Sequence, residues 1–199
     1  MRRRALVAAM LGLPGLALAA PGLVNFRILR GGSNVGTHAV RFRDEGAMLV
    51  AESEVRITIR LAGFTVFRYA HDTAERWQGS RLVALSSRLD RNGMPGFCEA
   101  RAEGNALLVN GSAGEARLPA TAAPLTWWRA ATLAPGVPLF DPRRGEPVAP
   151  ELQRSAVADG TRVKLIGGEG AEVLYDAAGA WIGFATTGED GSAVRYERA

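Results

Sequence analysis

Cysteine and histidine are almost absent from this 199-residue chain: Cys98 is the single cysteine, and His38 and His71 are the two histidines. One cysteine excludes an intrachain disulfide, so packing alone must hold the fold together. A lone cysteine inside a strand pattern reads as a small buried hydrophobe rather than a nucleophile. His38 and His71, with Cys98 or Glu75, are the side chains from which a metal site would have to be built. No histidine pair has helical spacing and no Cys-x-x-Cys occurs, so no metal and no cofactor is expected. The spacing of a nucleophile elbow is missing as well. Gly31-Gly32-Ser33 and Gly111-Ser112-Ala113-Gly114 are turn sequences. Gly167-Gly168-Glu169-Gly170 lies between two strand patterns and reads as a hairpin turn, with no helix N-terminus to cradle a phosphate. Internal repeats and low-complexity tracts are also lacking.

Long apolar runs are missing except at the start. MRRRALVAAMLGLPGLALAA has a cationic head, an apolar stretch broken by Pro14-Gly15, and small residues at Ala17 and Ala19. This is the pattern of an export signal cut after Ala19, too short and too rich in Gly and Ala to span a membrane stably. Arg3-Arg4 followed by Ala-Leu-Val loosely fits a twin-arginine signal, so Sec and twin-arginine export both stay open. No cysteine stands near the cut, so no lipid anchor is expected. The reading is a cleaved signal at 1–19 and a single β-rich domain at 20–199, periplasmic or secreted. Removing 1–19 takes three arginines and no acid, which leaves 21 cationic against 20 acidic residues and a net charge of +1. The pI near 10.0 therefore gives no support to a nucleic-acid partner.

What the chain has in abundance is period-two alternation. Val24, Phe26 and Ile28 share a face, then His38, Val40 and Phe42. The longest series is Ala47, Leu49, Ala51, Ser53, Val55, Ile57, Ile59 and Leu61. Turn signals recur about every ten residues, Asn92-Gly93 the strongest of them. The expected fold is mainly β: a strongly curved antiparallel meander, an open or partial barrel. Ala70 to Glu75 reads as an irregular bend. Leu125 to Leu133 is uniformly apolar, with Thr126 as N-cap and Pro135-Gly136 as stop, and reads as one short buried helix. The five prolines between Pro135 and Pro150 point to an extended strap over the surface.

Chemistry-bearing side chains concentrate between Arg68 and Trp77. His71 and Glu75 would serve as an acid/base pair with Arg68 as anion clamp, in an envelope hydrolase or lyase. Nothing nearby supplies a nucleophile or an oxyanion device, and the alternative is a strand edge whose charges pair with one another. Trp127 and Trp128, with Phe67, Tyr69 and Trp77, either form core or line an apolar cavity for a lipid or other amphiphile. The favoured reading is non-enzymatic binding of a hydrophobic or amphiphilic envelope component on the concave face of the sheet. A structural module pairing through a sheet edge is the third reading.

FRILRGGSNVGTHAVRF, VFRYAHDTAERWQGSRLVALSSRLDRNG and LYDAAGAWIGFATTGEDGSAVRYE resemble an uncharacterised family of exported alphaproteobacterial proteins, a domain of unknown function. The resemblance covers nearly the whole mature chain and implies no catalytic residues. More remotely, a curved sheet wrapped on a helix resembles the periplasmic lipoprotein carriers of the LolA type, which implies a concave face able to shelter acyl chains.

Overall fold

The computed structural model describes residues 22–167, 170–188 and 190–199. The expected signal at 1–19 lies outside them, as do Gly168 and Glu169 of the expected 167–170 turn and Glu189 of the expected last turn. Among the described residues, thirteen strands form one open sheet. The first half runs β1 (Leu23–Arg30), β2 (Ser33–Glu45), β3 (Met48–Leu61), β4 (Phe64–Gln78), β5 (Arg81–Arg91), β6 (Met94–Glu103), β7 (Ala106–Gly111) and β8 (Gly114–Pro119). After three short strands, β9 (Ala123–Pro124), β10 (Leu139–Asp141) and β11 (Glu146–Val148), the second half follows. It comprises β12 (Glu151–Val157), β13 (Gly160–Ile166), β14 (Ala171–Asp176), β15 (Trp181–Thr187) and β16 (Ala193–Arg198). Every neighbouring pair in the large sheet is antiparallel, and β16 closes back on β1. The two meanders thus fuse into one sheet whose ends, β8 and β12, do not meet, so no barrel closes.

The alternation works as expected along this sheet. Val24, Phe26, Ile28 and Val40 are buried, and the outward positions between them are exposed or half-buried. One cluster of buried side chains reaches from Leu107 and Val109 on β7 to Val163 and Val173 on β13 and β14. A flat sheet of thirteen strands would be about 58 Å wide at about 4.8 Å per strand, so a shared cluster requires strong curling. The Asn92-Gly93 turn has both residues at positive φ, 54° and 81°, the backbone of a two-residue primed hairpin.

Three expectations need correction. The stretch from Ala70 to Glu75 is not a bend: β4 runs unbroken through it, paired on both sides. Its inner face carries His71, Thr73 and Glu75 in place of hydrophobes, which disguised the strand. The short buried helix is reduced to a 3-10 turn at Ala130–Leu133, with Arg129 and not Thr126 at its N-cap. The residues before it are committed elsewhere. Ala123 and Pro124 pair in parallel with Leu139 and Phe140, and the Leu125 N–H donates to the Phe140 carbonyl at 2.8 Å. The proline-rich strap does not lie over the surface. It forms a three-stranded sheet in the order β11-β10-β9 on the concave side, with Phe140 fully buried. Its strand prolines, Pro124 and Pro147, occupy the edges, where a missing N–H costs least.

A candidate ligand cavity on the concave face

The curl and the strap border an open-mouthed cavity of about 990 Å³, at the upper end of the roughly 300–1,000 Å³ range of small-molecule sites. One wall is the inner face of β1 to β4: Ile28, His38, Val55, Ile57, Ile59, Phe67, Tyr69 and His71. Leu165, Phe184, Thr186 and Tyr196 from the second meander form the other, and Trp127, Pro142, Arg143 and Val148 from the strap complete it. The wall is apolar because the strand period places every second residue of β3 inward, where Ser53, Val55, Ile57 and Ile59 follow one another. A smaller recess of about 480 Å³ lies between the strap and β12.

Two histidines stand in one row across this wall. His38 and His71 both pair with Val55, one from each side. His38 Nε2 shares a hydrogen bond with Ser53 Oγ at 2.7 Å, and His71 Nε2 with Ser87 Oγ at 2.9 Å. Burial, helped by the other histidine, pushes His38 down to about 3. Burial and then the Arg143 guanidinium push His71 down to about 4. Both rings are therefore neutral at pH 7. Nδ1 of His38, itself buried, has no hydrogen-bond partner among the described residues.

Glu75 forms the floor at the other end of β4's inner face. It is fully buried, and two indoles donate to it: Trp77 to Oε2 at 2.8 Å and Trp128 to Oε1 at 3.1 Å. Burial raises its pKa against the pull of these donors and Thr126. Arg129 lies over the Trp77 ring, 4.5 Å from its centroid. These contacts anchor the strap to the sheet.

Of the five aromatic side chains expected at a ligand site, Phe67, Tyr69 and Trp127 line the cavity. Trp77 is buried in the core. Trp128 packs edge-on against Phe42 and Trp77, with ring centroids 5.1 Å and 6.2 Å away, outside the cavity lining. The adjacent tryptophans thus divide between cavity and core.

The trio His71, Glu75 and Arg68 is not brought together. His71 and Glu75 share the inner face but stand four residues apart on one extended strand, about 13 Å. Arg68 is exposed on the opposite face, its backbone N–H held by Asn92 Oδ1 at 2.7 Å. Cys98 is fully buried in the core, and burial pushes its thiol up to about 12. Among the described residues no group of three His, Cys, Asp or Glu side chains could hold a metal. Among the lining residues that sequence reasoning passed over are Ile57, Phe184, Thr186 and Tyr196. Alternation assigns each to a face, but only the curl reveals that the two faces look at each other.

Comparison with curated proteins returned no match. Among solved structures, a DUF1089 family protein from Pseudomonas aeruginosa is similar at 16% identity and a TM-score of 0.43, covering 91% of this chain and 95% of that one. The family model of a domain of unknown function, DUF6134, matches residues 26–199. With all but the start of the described sheet inside that match, the chain belongs to the DUF6134 family.

Proposed function

We propose that this protein is a non-enzymatic carrier that holds a hydrophobic or amphiphilic envelope component in the concave-face cavity, and that it acts outside the cytoplasm after export. The observation that carries this reading is the cavity itself: about 990 Å³ bounded by branched aliphatic and aromatic side chains, within a chain that elsewhere packs a continuous core. Two of its cationic side chains are matched inside the wall: Arg30 is bonded to Asp190 and Arg143 to Asp141.

Ser53 and Thr73, hydroxyl side chains in the cavity wall, are the places for a polar group. A hydroxyl suits them because it both donates and accepts. The ligand class is accordingly a neutral amphiphile with a long apolar body and a hydroxyl-bearing end.

The experiment is native mass spectrometry of the protein purified from cells without detergent, followed by titration with a fluorescent monoacylglycerol. Stoichiometric amphiphile and saturable binding are expected. Ile57→Trp, which fills the space in front of β3, should abolish both and leave the melting temperature nearly unchanged. A ligand-free protein that ignores the probe would overturn the reading and turn attention to the sheet ends, β8 and β12, as pairing edges.

A further inference from the structure

β3 and β4 outrun their neighbours. β2 pairs with β3 only as far as Ile57, and β5 pairs with β4 only from Tyr69 onward. From Thr58 to Phe67 the two strands pair with each other alone. Four residues at about 3.3 Å each make a two-stranded arm about 13 Å long, held by its own ladder alone. Arg91 lies over the Phe67 ring at its base, 5.8 Å from the centroid.

The tip of this arm is the wrong colour for water. Leu61 and Phe64 pair directly across the turn and are 70% and 76% exposed, the highest values among the large apolar side chains described. Val66, one step below them, is 54% exposed. Arg60 stands beside the tip and Arg68 at the base of the arm, and no Asp or Glu occurs between Ile57 and His71. A short apolar tip collared by cations is too small for a protein interface, which needs about 800 Å² from each partner. It suits shallow insertion into an anionic lipid surface.

Position adds a second argument. Ile59, Val66 and Phe67 of the arm line the cavity, together with Arg30, Ile166 and Gly188 at the same end of the sheet. The cavity therefore opens beside the arm. We infer that the β3–β4 arm docks the protein on an anionic bilayer through Leu61 and Phe64, with Arg60 and Arg68 at the headgroups, and sets the cavity mouth against the membrane. This deepens the carrier reading by naming where the ligand is exchanged: a molecule with a long apolar body passes between bilayer and cavity without crossing water.

The test is sedimentation of the chain from residue 20, which contains every described strand, with vesicles of phosphatidylglycerol and phosphatidylethanolamine or of phosphatidylcholine alone. Wild type should bind the anionic vesicles, less so as salt rises. The double variant Leu61→Ser, Phe64→Ser should bind roughly tenfold or more weakly, and loss of each arginine should cost about fivefold. Leu23→Ser removes an apolar side chain 53% exposed at the opposite end of the sheet and should bind as wild type. Circular dichroism checks that all variants fold.

The inference is overturned if wild type ignores anionic vesicles, if the double variant binds them equally, or if the tip instead crosslinks to a protein. The carrier reading fails separately. Ile57→Trp should still sediment with vesicles, and the tip variant should still take up a monoacylglycerol offered in solution.

Discussion

Trp128 donates its indole N–H to a carboxyl oxygen of Glu75, fifty-three positions earlier in the chain, while Trp77 occupies the other oxygen. This one buried group joins β4 to the strap. Removing it strands two buried donors at once. Glu75→Ala should lower stability by roughly 2–5 kcal/mol, with Glu75→Gln nearer the lower end. Urea unfolding measures both, and a loss below 1 kcal/mol would mean that the strap is held by its apolar contacts alone.

Acid should destabilise the fold through the histidines. His38 and His71 have folded pKa values of about 3 and about 4, below the ordinary 6.5. Their stabilising contribution is complete above pH 6.5 and is lost as pH falls through that value toward the folded ones, at up to about 1.4 kcal/mol per unit for each proton taken up. Glu75 works in the opposite sense, since its raised pKa stabilises at low pH and the gain fades as pH rises. Between pH 6.5 and 5 two histidines oppose one carboxyl, so stability should fall with pH. His38→Gln should flatten that slope and Glu75→Gln steepen it. A wild-type profile flat over this range would show that the histidines are not held neutral.

Gly111 marks where the strap crosses the sheet. A Cβ there would lie 2.6 Å from the Arg144 carbonyl carbon and 2.8 Å from the Phe97 carbonyl oxygen, both backbone atoms. The Arg144 carbonyl is also pinned by the Ala113 N–H at 2.9 Å. Gly111→Ala should therefore cost about 2–4 kcal/mol. A variant that melts like wild type would show that the strap can lift.

Tyr175 fixes the tryptophan that faces the cavity. Its buried hydroxyl donates to the Trp127 carbonyl at 2.8 Å, while the Trp127 ring packs on Phe184 at 5.1 Å between centroids. Tyr175→Phe should cost about 1–2 kcal/mol and weaken monoacylglycerol binding. Unchanged binding would mean that Phe184 alone positions Trp127.

Much of this molecule is legible in the order of its residues. Strict alternation from Val24 to Leu61 leaves little choice but extended strands, because a helix would scatter those apolar positions. Asn92-Gly93 dictates its turn because both residues tolerate positive φ. Where the reading failed, local preference lost to remote partners. The apolar run from Leu125 to Leu133 would bury itself as a helix if nothing else were near. Instead Phe140 and Tyr175 take its backbone groups, and only one 3-10 turn remains. The middle of β4, Ala70 to Glu75, read as a bend because a strand facing a cavity carries His71, Thr73 and Glu75 where a strand facing a packed core carries hydrophobes. The pairing of β1 with β16, the curl that brings Ile57 and Phe184 to one cavity, and the strap's passage through the concave side join residues far apart in the chain. Local sequence specifies which way each side chain points from its own strand. Which faces meet, and what space stays open between them, depends on long-range pairing and the accumulated twist of thirteen strands, and only the tertiary structure decides it.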